Sequence, residues 1–199
     1  MRPGRLDPDG RGHRVAQRGD RDGGGALRDR ADAAGLSLVP HVRPATRALV
    51  VVDDRLLVTV LHGGTGEFWL TPGGGQDFGE TKVDNVVREV LEETGYRVRV
   101  GALACGRDYI GAHHFPEWDT GFQQTELWFW CELVGVPPRD GLPVGEVPLQ
   151  GAVLPDAAQT GVRWVPVGEL VGSPLYPRRL AAWLNEDPAT RPVWLGDVN

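Results

Sequence analysis

Apolar and polar positions change their spacing several times along this chain. Residues 47–52 (Arg-Ala-Leu-Val-Val-Val) are apolar and β-branched, Asp53-Asp54 is a turn signal, and 55–61 (Arg-Leu-Leu-Val-Thr-Val-Leu) is apolar again. This pattern predicts a hairpin of two strands. A short extended piece is expected over 67–70, broken by Pro72-Gly-Gly-Gly75. From 81 to 94 the period becomes helical: Val83, Val86, Val87, Val90 and Leu91 form one stripe. Thr81 is placed to cap that helix and Gly95 to stop it. Strands are expected over 97–104, 125–133 and 161–165, and two short helices over 167–170 and 178–185. The stretch from 135 to 159 carries Pro137, Pro138, Pro143, Pro148 and Pro155 and reads as a long loop. Strands on both sides of one central helix, with helices late, point to an α/β layered domain with a mixed sheet.

Residues 1–40 keep neither period. They hold eight arginines, six aspartates and eight glycines with few large apolar side chains. Such a segment buries too little apolar surface to offset its chain entropy. It is expected to be a disordered tail, or an over-long translation start, ahead of a single domain over 41–199. No apolar run approaches the ~18 residues of a membrane span, and no apolar stretch follows the N-terminal arginines as a secretory signal requires. Cys105 and Cys131 are the only cysteines. They make neither a disulfide framework nor a zinc cluster by spacing, which fits reduced thiols and a cytoplasmic protein. The formal net charge of −6 disfavours DNA and nucleic acid in general as a partner, because phosphate affinity comes mainly from basic side chains. The tail contributes 8 − 6 = +2, so the domain carries 13 − 21 = −8.

Part of that negative charge is concentrated on the central helix. At about 100° per residue, Glu89, Glu92 and Glu93 fall on one side of the apolar stripe, with Glu93 at its flank. Like charges at i, i+3 and i, i+4 destabilise a helix by a few tenths of a kcal/mol each, and the helix C-terminal end opposes negative charge further. A solvated acidic face is one reading. The other is a site for a hard divalent cation, because carboxylates beside the exposed carbonyls of Gly73-Gly74-Gly75 are oxygen ligands of the kind magnesium takes. A bound cation would turn an acidic helix into a phosphate-binding one.

Gly74, Glu80, Arg88, Glu89, Val90, Glu92, Glu93 and Gly95 stand at the spacing G-x5-E-x7-R-E-U-x-E-E-x-G-U, where U is a bulky aliphatic residue. This resembles the Nudix box. Tyr96 stands where an aliphatic residue is usual, and its bulk suits the same packing position. The resemblance extends over about 44–199. It implies an α/β/α sandwich with a mixed sheet between helices. The implied activity is hydrolysis of a nucleoside diphosphate linked to another moiety, such as ADP-ribose, a sugar nucleotide or a nucleoside triphosphate. The first two are ranked slightly ahead. By the same resemblance Glu89, Glu92 and Glu93 would bind Mg²⁺ (or Mn²⁺) with the Gly73 carbonyl, and Glu89 or Glu93 would double as base. Arg88 and Glu80 would form the ion pair that orients them, with Gly74 in support.

Several residues outside the box are candidates. Glu126, at the start of a strand, is either a further metal ligand or an ordinary strand-end carboxylate. The segment 111–121 carries His113, His114, Phe115 and Trp118, which could cap a base or ribose. Trp128 and Trp130 alternate with Phe129, so one face of that strand is core. A homodimer is compatible with the family, and no membrane partner is expected. The competing reading is a catalytically silent Nudix-fold nucleotide sensor; such modules usually lose box glutamates, and this chain keeps them.

Overall fold

In the computed structural model, residues 41–64, 66–117, 119–135, 145–147 and 158–199 are described. The expected tail, Trp118 and most of the long loop lie outside the described residues. Asp53 and Asp54 both adopt left-handed backbone (φ 48° and 58°), the geometry of a tight turn whose twist matches its strands. They join β1 (Arg43–Val52) to β2 (Arg55–Gly63) as the expected hairpin. Only Val51–Leu56 and Val52–Arg55 pair before the strands diverge. β2 then pairs with β3 (Gly66–Leu70), while the first half of β1 is left for another partner.

That partner is β4 (Gly73–Gly75), antiparallel to β1 with Ala45, Thr46 and Arg47 opposite Gly75, Gly74 and Gly73. The glycine run was expected only to break the preceding strand; instead it is itself a strand. Glycine is required at two of its positions. Gly73 has φ +145°, and a Cβ there would lie 2.2 Å from the Thr46 carbonyl. A Cβ on Gly74 would lie 2.6 Å from a carboxylate oxygen of Glu89.

β5 (Val98–Ile110) and β6 (Gln123–Leu133) form a long antiparallel pair, and β6 runs parallel to β1. β5 extends further than expected and leads into a short helix, α2 (Gly111–His114). β7 (Gly145–Val147) interrupts the expected loop and pairs with β8 (Gln159–Pro166). The residues expected as a helix near 167 form a single 3-10 turn over Val167–Glu169. Two further elements close the chain: α3 (Arg178–Asn185) at the expected bounds, and β9 (Trp194–Asp197), which the apolar spacing did not show. The ladder runs β7-β8-β2-β1-β6-β5-β9, with β3 on β2 and β4 on β1.

Alternation along β1 and β6 builds two cores. Ala48, Val50 and Cys131 face the central helix α1 (Lys82–Thr94) through Val86 and Val90. Leu49 and Trp128 face the other side and pack with Leu180, Trp183 and Leu184 of α3. The architecture is therefore an α/β/α sandwich with a mixed sheet, as expected. Each fully buried large apolar side chain stabilises it by about 1.5–3 kcal/mol relative to exposure. Trp130 stacks on Trp183 at 6.0 Å. Cys105 and Cys131 are both buried free thiols, and burial pushes each up to about 12, so neither is a reactive nucleophile at neutral pH.

Thr81 caps α1 as expected. Its hydroxyl accepts from the Asp84 amide at 3.1 Å, and the Asp84 carboxylate reaches back to Thr81. Gly95 ends the helix at φ 73°. The buried face differs from the expected stripe. Val83 and Val87 are 48% and 37% exposed, whereas Asn85 and Glu93 are buried. The helix is rotated toward its glutamate side because β4 lies there. Asn85 donates to the Gly75 carbonyl at 2.9 Å and accepts from the Thr46 hydroxyl at 2.6 Å. That rotation places Glu89 and Glu93 at the boundary between core and solvent.

Candidate active site

Arg88 organises the carboxylates of α1. Its Nε and Nη2 form a bidentate pair with Glu80, at 2.6 and 3.0 Å. Its Nη1 donates to both Glu89 (2.9 Å) and Glu92 (3.2 Å), and Nη2 also reaches the Gly75 carbonyl at 3.2 Å. Planar, forked geometry lets one guanidinium serve three carboxylates and a carbonyl where a lysine could not. Hydrogen bonding from Arg88 holds the Glu80 carboxyl below the usual carboxylate range. Burial pushes Glu89 the other way, and Arg88 offsets that only in part.

Glu93 turns to β4, where its Oε2 accepts from the Gly73 amide at 2.9 Å. The structure therefore brings together Glu80, Arg88, Glu89, Glu92, Glu93, Gly73 and Gly74 along one helix side and one glycine strand. Among the described residues, no group of three His, Cys, Asp or Glu side chains converges as a metal cage. Arg88 takes up Glu89 and Glu92, and the Gly73 amide takes up Glu93. The donor set itself is carboxylate and carbonyl oxygen throughout, which suits a hard divalent cation.

Glu126 stands on β6, opposite Ala45 of β1. Its side chain is fully buried, and each of its oxygens accepts from an arginine, Arg47 Nε and Arg107 Nε, both at 2.6 Å. Burial alone would raise its carboxyl, but Arg47 and Arg107 more than offset this and hold it low. Glu126 is the fourth residue of β6 rather than its first, and both of its oxygens are engaged by arginines. His113 and His114 both contact Asp197, at 2.6 and 2.7 Å, and so tie α2 to β9. Phe115 is half-buried at the end of α2. The segment that follows borders a cleft of about 300 Å³ through Thr120, Gly121 and Phe122, and His41, Val42, Ile110 and Gln123 complete its lining.

Sequence reasoning missed Arg43, Arg47 and Asn85. Arg43 lies over the Phe122 ring at 5.9 Å, and its guanidinium fills the space beside Gly75, so it links the cleft to the glycine strand. Arg43 and Arg47 stand outside the box and Asn85 at one of its variable positions, and each meets its partners only because β1 lies beside β4.

A Gly74→Ala substitution is expected to displace the Glu89 carboxylate from Arg88. Turnover should fall by roughly 10²-fold with less than about 2 kcal/mol lost in stability. Steady-state kinetics beside urea unfolding would separate the two effects, and unchanged turnover would contradict the close approach.

A NUDIX domain profile matches residues 41–185. The chain belongs to the Nudix family. A Mycobacterium tuberculosis relative, provisionally named 8-oxo-dGTP diphosphatase 3, is 32% identical over 187 residues, covering 88% of this chain and 74% of that protein. A Bacillus subtilis relative, provisionally named 8-oxo-dGTP diphosphatase, is 27% identical over 123 residues, covering 61% of this chain and 66% of that protein. The chain thus spans about two thirds to three quarters of these relatives' length. The Nudix hydrolase structure from Nitrosomonas europaea superimposes with a TM-score of 0.55 at 18% identity, covering 73% of this chain and 88% of that one. No helix among the described residues is long and apolar enough to cross a membrane.

Proposed function

We propose that this Nudix-family pyrophosphohydrolase cleaves a phosphoanhydride bond in a nucleoside diphosphate derivative, with Mg²⁺ (or Mn²⁺) held by Glu89, Glu92, Glu93 and the Gly73 carbonyl. The observation that carries this reading is the arrangement around Arg88. One guanidinium already bridges Glu89 and Glu92, so these carboxylates sit where positive charge is favourable. The space a Gly74 side chain would take is filled by Glu89. When bound, the cation would neutralise diphosphate oxygens and lower the pKa of water. Arg88, anchored by Glu80, would keep the carboxylates aimed as charge is redistributed, and Glu93 or Glu89 would accept the proton of the attacking water. Glu126 is left out of the proposed ligand set because it is fully buried with both of its oxygens engaged by arginines, whereas Glu89 and Glu92 each give one oxygen to Arg88 and a carbonyl held by Arg47 keeps a second lone pair.

The relatives' names favour an oxidised nucleoside triphosphate, such as 8-oxo-dGTP, as the substrate class. This reverses the order suggested by the sequence, which ranked ADP-ribose and sugar nucleotides first. The cleft lined by His41, Phe122 and Gln123 is the proposed place of the nucleoside end, joined to the glycine strand by Arg43 over the Phe122 ring. A panel of 8-oxo-dGTP, dGTP, ADP-ribose and a UDP-sugar, assayed with and without Mg²⁺ and monitored for pyrophosphate and phosphate separately, tests the reading. The expected result is metal-dependent pyrophosphate release, with kcat/KM highest for 8-oxo-dGTP. Binding of these nucleotides without any turnover would favour the sensor alternative, which no feature of the site supports.

A further inference from the structure

Arg47, Glu126 and Arg107 form an ionic group in which two guanidiniums share one carboxylate, and Glu93 and Glu89 attract Arg47 as well. Glu126 is 0% exposed, Arg107 6% and Arg47 12%, and each arginine donates its Nε to one oxygen of the carboxylate. Two guanidiniums for one carboxylate cost more desolvation than a single pair would. Chain attachment does not explain the second cation. The segment between β3 and β4 is already fixed by the Ala48 amide bonding the Pro72 carbonyl at 2.7 Å and by the β1–β4 ladder.

What Arg47 adds lies at its other end. Its Nη1 donates to the carbonyls of Thr71 (3.0 Å) and Gly73 (3.1 Å). The amide of the same Gly73 donates to Glu93 at 2.9 Å. Gly73 is thus gripped from Arg47 on its carbonyl side and from Glu93 on its amide side, in a conformation (φ +145°) that only glycine adopts readily. We propose that Arg47 is a positioning residue: clamped by the buried Glu126, it sets the orientation of the Gly73 backbone and so the direction in which Glu93 presents its carboxylate. This inference rests on the role proposed above for Glu93 and the Gly73 carbonyl.

Two variants separate positioning from mere stability. Arg47→Lys keeps a positive charge opposite Glu126, but its three donors share one nitrogen and do not reproduce the separate Nε and Nη1 positions that meet Glu126 and the two carbonyls. Arg47→Met leaves the Glu126–Arg107 pair in place and removes every donor of Arg47. Both are expected to lower kcat by roughly 10²-fold, whatever their individual thermal stability, and to leave the nucleotide KM within about twofold. In the metal-free protein, both should accelerate amide exchange at Gly73 by about tenfold or more while exchange along β1 and β6 stays slow. Exchange at Gly73 at the wild-type rate, or a fall in kcat that only tracks uniform loss of protection across the sheet, would overturn the proposal. If the wild type turns over no nucleotide, the proposed activity fails, and Gly73 exchange alone still decides the positioning role. Selective acceleration supports it, and an unchanged rate refutes it.

Discussion

The Glu93→Gln variant is expected to lose Mg²⁺-dependent turnover by about 10²–10⁴-fold while folding normally. Glutamine has the same shape, and its carbonyl oxygen can still accept the 2.9 Å bond from the Gly73 amide. The local fold of β4 against α1 should therefore persist. What is removed is a negative charge toward the cation and an oxygen able to take a proton. Because Glu93 is only 6% exposed, replacing it with a neutral group lifts a desolvation penalty while giving up its attraction to Arg47. The metal-free variant should melt within a few degrees of the wild type. Kinetics at saturating Mg²⁺ and a thermal melt without metal check the two halves separately. Wild-type turnover in the variant would remove Glu93 from the mechanism.

Glu126→Ala is expected to cost about 3–5 kcal/mol of stability, the penalty for removing one member of a buried ionic group. Two buried guanidiniums would be left facing each other across a cavity. The effect depends on pH. Arg47 and Arg107 hold the folded-state carboxyl below its ordinary range. Its contribution is thus fully present above the unfolded value of about 4.3 and is lost as pH falls through the lower folded value. The wild type should lose stability over that acid window, and the gap between wild type and variant should close there. Urea unfolding at pH 7 and at several acidic values measures both. A variant as stable as wild type, with a changed Mg²⁺ requirement, would return Glu126 to the metal site.

The central helix was legible because its signals are local. Thr81 and Gly95 cap it through bonds to residues three or four away, and side chains at that spacing are neighbours in any helix. Its orientation was not legible. Apolar spacing placed Val83 and Val87 inward, but burial depends on what packs against the helix, and β4 lies on the glutamate side. The same limit explains the glycine strand. A run of glycines carries no alternating pattern, so its pairing with β1 follows only from the close approach it permits. β9 is four residues long, with one exposed and three partly buried positions, so it too leaves little periodicity to read.

Within the site, the spacing of Glu80, Arg88, Glu89, Glu92 and Glu93 predicted a cluster, and they do cluster, because all but Glu80 stand on one helix and Glu80 stands just before it. The candidates beyond the box fared differently. His113 and His114 are tied to Asp197, 84 and 83 positions away, and Glu126 to Arg47, 79 positions away. Partners at such separations are chosen by sheet order and register.

The sequence by itself determined the family, the α/β character, the caps of the helix and the row of carboxylates it carries, since each depends on contacts within a few residues. Tertiary structure alone decided which helix face is buried, that the glycines form a strand, and that Glu126 is bound between two arginines. It also decided that Arg47 reaches the Gly73 carbonyl. Those outcomes require β1, β4 and β6 to lie side by side, and the parallel β1–β6 register and the antiparallel β1–β4 register arise only when the whole sheet closes around its two cores.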